Sequence, residues 1–140
     1  MLLPKKVKHR KWQKFRGNKN TLNKTPDTRG IKLAFGSFGL KSESTARVKS
    51  NQIEAARKAM TRNLTKSGKV WIRIFPDMPF TSKPPEVGMG KGKGDLQGYC
   101  FEVRPGRIIF EVDGVDAAIA KESLRKAGTK LPLKTRVISR

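Results

Sequence analysis

The chain has 140 residues and a mass of 15.7 kDa, a size typical of one domain, and its 32 Lys and Arg against 11 Asp and Glu give a net charge of +21 at pH 7. A mean hydropathy of −0.59 and the lack of any apolar run of about 18 residues exclude a membrane-embedded protein. One cysteine and one histidine exclude an internal disulfide and a zinc finger. Because so large a surplus needs a polyanionic counterpart, we expect a nucleic-acid-binding protein in a reducing compartment.

Residues 1–30 are predicted to form an extended basic arm and linker, without the apolar run of a secretory signal. The first 24 residues contain nine Lys and Arg and no acid, and Trp12 and Phe15 lie among these cations. Segments of like charge seldom fold alone and often become ordered on a nucleic acid. The two aromatic side chains could stack on unpaired bases or anchor the arm to the core. A solubilising tail or a localisation signal is a further alternative.

Residues 31–140 are predicted to form a single α+β domain, with two helices packed on a mainly antiparallel sheet. The predicted strands cover residues 32–35, 39–41, 69–75, 99–103, 107–112 and 131–138. The two strands on either side of Pro105-Gly106 are expected to pair as a hairpin. Residues 78–98 contain three prolines and five glycines, so we expect a long projecting loop there.

Two helices are predicted from apolar residues at helical spacing. Ser50 or Asn51 would cap the first and Gly68 would end it, while Asp116 would cap the second and Gly128 would end it. The buried stripes are Ile53, Ala56, Met60 and Leu64 in the first helix and Ala120, Leu124 and Ala127 in the second. Four cations lie on the other faces of the first helix: Arg57, Lys58, Arg62 and Lys66. They form either an ordinary solvated face or, as the charge surplus favours, a set of phosphate contacts.

The glycine-rich segment 88–94 has the composition of a phosphate-binding loop. Glycines let backbone amides approach anionic oxygens, and Lys91 and Lys93 add positive charge. However, no Ser or Thr follows either lysine, as a P-loop requires, and the dinucleotide pattern G-x-G-x-x-G fails at every register. We therefore expect no nucleotide cofactor. The open alternatives are a flexible solvated loop and a loop inserted along a nucleic-acid backbone.

No group of residues in the sequence favours catalysis or metal binding. His9 lies in the basic arm, where a phosphate or base contact is the better interpretation, and Cys100 lies in an apolar strand as a core thiol. Glu111 and Asp113 share one strand face, but a solvated edge or a local ion pair is a better interpretation than a catalytic pair. We expect no enzyme activity, no cofactor and no metal.

Motifs along nearly the whole chain carry a resemblance to a known family. In chain order they are Pro4-Lys5 with the basic arm, FGSFGL (35–40), QIEAAR (52–57), MTR (60–62), WIRIFPD (71–77), MGKGKG (89–94), PGR (105–107), DGV (113–115) and KLPLKT (130–135). Together they resemble the bacterial-type large-subunit ribosomal protein sixteen family, also called universal L-sixteen. That family commonly has Arg where this chain has Gly88, so any contact made by that Arg is absent here.

The resemblance implies an α+β fold and a structural constituent of the large ribosomal subunit, bound to 23S-type rRNA and to neighbouring ribosomal proteins. It also implies contact with A-site tRNA near the peptidyl-transferase region, with P-site tRNA as a further candidate, and a function in late subunit assembly. The implied rRNA contacts are Lys5, Lys6, Lys8, His9, Arg10, Lys11, Trp12, Lys14, Arg16, Arg57, Arg62 and Arg73. The implied tRNA-proximal loop is Met89, Gly90, Lys91, Gly92, Lys93 and Gly94.

The expected location is a bacterial-type ribosome in the cytoplasm, with an organellar ribosome as an open alternative. We expect no membrane contact and no homo-oligomer. Two other functional classes stay open at this point. A free basic nucleoid protein or RNA chaperone would explain the charge and the aromatic residues, but it would be found apart from ribosomes. A small phosphoryl-transfer enzyme would explain the glycine loop, but the missing Ser or Thr of a P-loop argues against it.

Overall fold

The computed structural model describes residues 1–13, 25–64 and 68–140. Within these ranges the chain forms β1 (Phe38–Ser42), β2 (Ala46–Lys49), α1 (Ser50–Asn63), β3 (Lys69–Ile72), β4 (Met78–Ser82), β5 (Asp95–Val103), β6 (Ile108–Asp113), α2 (Ala117–Gly128) and β7 (Thr135–Ser139). Two helices combined with antiparallel strands confirm the predicted α+β class. No helix in the described ranges is long and apolar enough to span a membrane.

The strands form two sheets instead of the single sheet that was expected. The four-stranded sheet has the order β3-β6-β1-β7, the three-stranded sheet has the order β2-β5-β4, and every pair is antiparallel. The predicted hairpin around Pro105-Gly106 is therefore wrong, because β5 and β6 belong to different sheets. Gly106, with a φ of +95°, lies in the turn that takes the chain from one sheet to the other.

One hydrophobic core lies between the helices and the sheets. Helix α2 packs across β1, β6 and β7, and α1 packs against α2, β2 and β5. The largest apolar side chains that the fold buries completely are Phe110, Leu40, Ile53, Met60, Ile108, Ile109 and Leu124. Burial of one such side chain stabilises a fold by about 1.5–3 kcal/mol. The predicted stripes of both helices are in this core, although Leu64 is only partly buried.

Helix α1 begins and ends at residues other than those predicted. Lys49 is its N-cap residue, and the backbone N–H of Lys49 donates to the side-chain carbonyl oxygen of Gln52 at 2.9 Å. Residues 50–51, the predicted caps, already lie inside the helix. At the other end Leu64 has an extended conformation and caps the helix, so Gly68 does not end it.

Helix α2 begins as predicted. The carboxylate of Asp116 accepts the backbone N–H of Ala118 at 3.1 Å. Gly128 is the last helical residue, and Thr129 is the C-cap. A Cβ at Gly128 would lie 2.5 Å from Oγ1 of Thr135, so a larger residue there would force the Thr135 side chain to shift. The sequence therefore correctly predicted that this glycine lies at the end of the helix. It did not predict the close contact with Thr135.

Two segments differ from their predicted state. Residues 78–98 contain β4 and the beginning of β5, so the projecting segment is reduced to residues 83–94, named here the glycine–lysine loop. Pro79 lies in β4, an edge strand, where a proline is tolerated because one side of the strand has no partner. Residues 32–35 form no strand and cross the outer face of the four-stranded sheet, the face opposite the helices.

Candidate nucleic-acid interface

The first described segment of the predicted arm and linker, residues 1–13, contains no helix or strand and is named here the arm. Leu2 packs against the core, which fixes the beginning of the arm to the domain. The predicted RNA contacts in it are all exposed: Lys5, Lys6, Lys8, His9, Arg10, Lys11 and Trp12. Lys14 and Arg16, which were predicted together with them, lie outside the described residues.

The arm contacts the glycine–lysine loop. The Lys11 ammonium donates to the carbonyl oxygen of Lys93 at 3.2 Å, and the Lys93 ammonium donates to the carbonyl oxygen of Trp12. Lys11 also lies 3.8 Å from a carboxylate oxygen of Asp95, at the base of the loop. Two basic segments that are 82 positions apart in the sequence thus form one surface.

Lys83 organises the tip of the glycine–lysine loop. Its ammonium donates to the carbonyl oxygens of Gly88 at 3.4 Å and Met89 at 3.2 Å, and also to that of Gly90. The chain then turns at residues 91–92, which have φ angles of +60° and +86°. The side chain of Met89 is fully exposed. The loop therefore projects from the domain, and the backbone of its tip is held by hydrogen bonds to the Lys83 ammonium.

The glycines of this loop have two kinds of environment. A Cβ added at Gly88 or Gly90 would meet no atom within 4 Å, whereas a Cβ at Gly94 would lie 2.5 Å from the backbone oxygen of Ser82. The fold therefore requires Gly94, which comes directly before β5. It has no steric need for a glycine at the other two positions, where the missing side chains leave the backbone open to a ligand.

Helix α1 carries further cations that were predicted to contact RNA. Arg62 and Lys58 are exposed. Arg57 is half-buried and forms a two-pronged ion pair with Glu54, with N–O distances of 2.7 and 3.1 Å. This hydrogen bonding raises the pKa of Arg57 and lowers the pKa of Glu54. Lys66, the fourth predicted cation of this helix, lies outside the described residues.

Glu111, whose structural function was not predicted from the sequence, is 0% exposed. Its carboxylate accepts the backbone N–H groups of Ala34 at 3.3 Å, Phe35 at 2.7 Å and Gly36 at 2.8 Å. The carboxylate also accepts a hydrogen bond from the guanidinium of Arg73. Burial raises the pKa of Glu111, but the hydrogen bonds outweigh it, so this pKa lies below its usual value. The interpretation of Glu111 as part of a solvated edge is therefore wrong, and its interpretation as a member of a local ion pair is confirmed.

Arg73 has a structural partner in addition to its predicted RNA contact. Its side chain is 19% exposed, because its guanidinium faces the buried carboxylate of Glu111. No signal in the sequence could have found this pair, since Arg73 follows the end of β3 and Glu111 lies in β6, 38 positions apart. Only the small exposed part of the Arg73 side chain is accessible for the predicted RNA contact.

Asp113 and Cys100, two other residues that were considered for catalysis, both have structural functions. Asp113 accepts the Ser37 hydroxyl at 2.7 Å, and hydrogen bonds led by this one lower the pKa of Asp113. Cys100 is buried in β5, as expected for a core thiol. No cluster of three or more His, Cys, Asp or Glu side chains that could hold a metal ion occurs in the described part of the chain.

Comparisons with known proteins identify the family. The profile of the family described as "Ribosomal protein L16p/L10e" matches residues 4–138. The "Large ribosomal subunit protein uL16" of Parvibaculum lavamentivorans is 50% identical over 140 residues, covering 100% of this chain and 96% of the relative. The protein of that description from Agrobacterium fabrum is also 50% identical over 140 residues, covering 100% and 98%. These matches confirm the predicted bacterial-type ribosomal location and a structural protein instead of an enzyme, and the chain belongs to the ribosomal protein L16p/L10e family.

Proposed function

We propose that this chain is a structural constituent of the large ribosomal subunit that binds 23S-type rRNA and contacts A-site tRNA near the peptidyl-transferase region. P-site tRNA is a second contact, and the protein supports late assembly of the subunit. Two full-length relatives described as large-subunit proteins support the assignment to this subunit. The charge of +21 supports an RNA partner.

The contact between the arm and the glycine–lysine loop is the observation that carries the proposal. Lys11, Trp12 and Lys93 join two segments that were separately predicted to bind RNA. Lys5, Lys6, Lys8 and Arg10 of the arm and Lys91 of the loop are exposed, and the contact between the two segments brings their positive charges onto one surface. A polyanion that binds the arm therefore also lies near the loop.

The proposed mechanism is electrostatic and steric. Lys and Arg of the arm and of α1 neutralise phosphates of packed RNA, while the loop backbone approaches sugar and phosphate where glycines leave space. The proposed rRNA contacts are Lys5, Lys6, Lys8, His9, Arg10, Lys11, Trp12, Lys14, Arg16, Arg57, Arg62 and Arg73. The proposed tRNA-proximal residues are Met89, Gly90, Lys91, Gly92, Lys93 and Gly94.

Sedimentation of cell lysate tests the assignment to the subunit. The protein is followed by mass spectrometry through sucrose gradients at low and high salt. We expect it to sediment with large subunits and translating ribosomes. Sedimentation near the top of the gradient would contradict the proposal and favour a free RNA chaperone.

A double variant tests the tRNA contact. Replacing Lys91 and Lys93 by Ala should weaken A-site tRNA binding by the ribosome more than it weakens incorporation of the protein into subunits. Replacing the exposed Lys121 and Lys130 by Ala removes the same charge elsewhere and serves as the control. If only incorporation failed in the loop variant, the function of the loop would be assembly and the tRNA contact would be wrong.

A further inference from the structure

An aromatic pair with one exposed ring lies on the outer face of the four-stranded sheet. The rings of Phe35 and Trp71 are stacked, with 6.1 Å between their centroids and 16° between their planes. Trp71 lies in β3, an edge strand of this sheet. Phe35 is 57% exposed, so the described part of the chain leaves most of this residue in contact with solvent. A ring that the protein holds but does not cover is available to a partner.

The backbone that carries Phe35 is fixed to the sheet. Its N–H and that of Gly36 donate to the buried carboxylate of Glu111 at 2.7 and 2.8 Å. A Cβ at Gly36 would lie 2.7 Å from the backbone oxygen of Val112, so the segment lies directly on β6. Trp71 is the register partner of Glu111, so their side chains share one face of the sheet. Phe35 is therefore held over Trp71 in a defined position.

Cations lie over both rings. The guanidinium carbon of Arg73 is 5.1 Å from the centroid of the Phe35 ring, and the ammonium nitrogen of Lys69 is 5.5 Å from that of Trp71. Both distances are within the range of cation–π contacts. The two carboxylates of β6 on this side accept hydrogen bonds from the protein itself. Their charges are thus already engaged, while Lys69 stays exposed to solvent.

We propose that Phe35, supported by Trp71 and flanked by Lys69 and Arg73, is a stacking platform for one unpaired base of the ribosomal RNA. This proposal rests on the proposed function and adds to it the place where a nucleotide is held. A base offers a flat π-face to the Phe35 ring, and its phosphate attracts the exposed Lys69, a combination typical of single-strand recognition. A protein partner would have to desolvate the cations, and the charge of +21 favours a polyanion.

Binding of two synthetic strands to the full chain tests the platform. The strands are an oligouridylate and an abasic ribose-phosphate strand of the same length. Phe35→Ala lowers the affinity for the oligouridylate by about 5- to 150-fold, the range that the loss of one base–aromatic stack gives. Its affinity for the abasic strand is unchanged. Phe75→Ala removes another exposed phenylalanine ring and changes neither affinity.

Two further variants separate stacking from misfolding and from charge. Phe35→Tyr keeps an aromatic ring and retains the affinity for the oligouridylate, while the unchanged affinity of Phe35→Ala for the abasic strand excludes misfolding. The loss in Phe35→Ala is the same at every salt concentration, because stacking releases no counterions. Lys69→Gln instead reduces the slope of log affinity against log salt by about 0.7, the value for one phosphate of a single strand.

Ultraviolet cross-linking of isolated large subunits gives a direct readout. Mass spectrometry should find a nucleotide adduct on a peptide that contains Phe35 or Trp71. Normal oligouridylate binding by Phe35→Ala, or adducts of this chain confined to other peptides, would overturn the platform and leave the proposed function intact. If the unaltered chain bound neither strand and did not sediment with large subunits, the proposed function itself would fail.

Discussion

Arg73 and Glu111 form an ion pair on the outer face of the four-stranded sheet, and the same carboxylate binds three successive backbone amides. A buried carboxylate is costly to desolvate unless it is paired and fully hydrogen-bonded. Here one guanidinium and the amides of residues 34–36 compensate for that cost. The pair therefore attaches the segment that carries Phe35 to the sheet. Both the stability of the fold and the position of the Phe35 ring depend on it.

Glu111→Gln should destabilise the protein strongly. The amide keeps the shape of the side chain but removes the charge that faces Arg73 and the three N–H groups. Removal of one member of a buried ion pair typically costs about 3–5 kcal/mol, and we expect a loss in this range in the free energy of unfolding. Urea denaturation of the purified chain measures it. Glu122→Gln, which breaks the exposed helical pair with Arg125, is the control and should have little effect. Equal effects of the two variants would contradict the anchoring function of Glu111.

Acid should destabilise the protein through the same carboxylate. The pKa of Glu111 in the fold lies below the usual value of about 4.3, since hydrogen bonds outweigh burial. The stabilisation is therefore complete above the unfolded-state pKa and is lost as pH falls through the folded-state pKa. Glu122 acts in the same direction, because hydrogen bonding to Arg125 lowers its pKa to about 2. Urea denaturation between about pH 7 and 3 should show a falling free energy of unfolding, with a shallower fall in Glu111→Gln. An unchanged profile in the variant would contradict the assignment.

The sequence predicted best where local chemistry decides the structure. Asp116 at the start of α2 was found because an N-cap acts on an amide only two residues away. Glu111 was not understood, because its amide partners are 75–77 positions distant. The Pro105-Gly106 turn was recognised, but a turn does not determine whether its two strands pair or enter different sheets. The strand with Pro79 was missed, because proline disfavours strands except at an edge, and edges are set by tertiary contacts.

The candidate interface was predicted in its parts but not in its arrangement. Composition alone indicated a basic arm and a glycine–lysine loop. The contact between Lys11 and Lys93 could not be predicted, because no local pattern links residues 82 positions apart. The same holds for Phe35 over Trp71, where a residue outside any strand is brought to an edge strand by a buried carboxylate.

Two glycines of the loop should respond differently to alanine. Gly94→Ala places a methyl group 2.5 Å from the backbone oxygen of Ser82, so the junction of the loop with β5 must shift. Forced overpacking of this kind costs about 1–3 kcal/mol, and thermal unfolding should show it. Gly90→Ala meets open space, and the free chain should be as stable as before or slightly more stable. If both variants were equally stable, the steric assignment of Gly94 would be wrong.

Lys83 should protect the tip of the loop from proteolysis. Its ammonium binds the carbonyl oxygens of residues 88–90, and these contacts are absent in Lys83→Met, which keeps most of the side-chain length. The tip should then open more often, and trypsin should cleave after Lys91 and Lys93 several-fold faster at native pH. The unfolding temperature should change little, because the contacts lie on the exposed surface. Lys121→Met replaces a lysine on α2 and is the control for the loss of one charge. Equal cleavage rates in the loop of the two variants would contradict the stabilising function of Lys83, whereas faster cleavage in Lys83→Met alone would show that one cation gathers the tip.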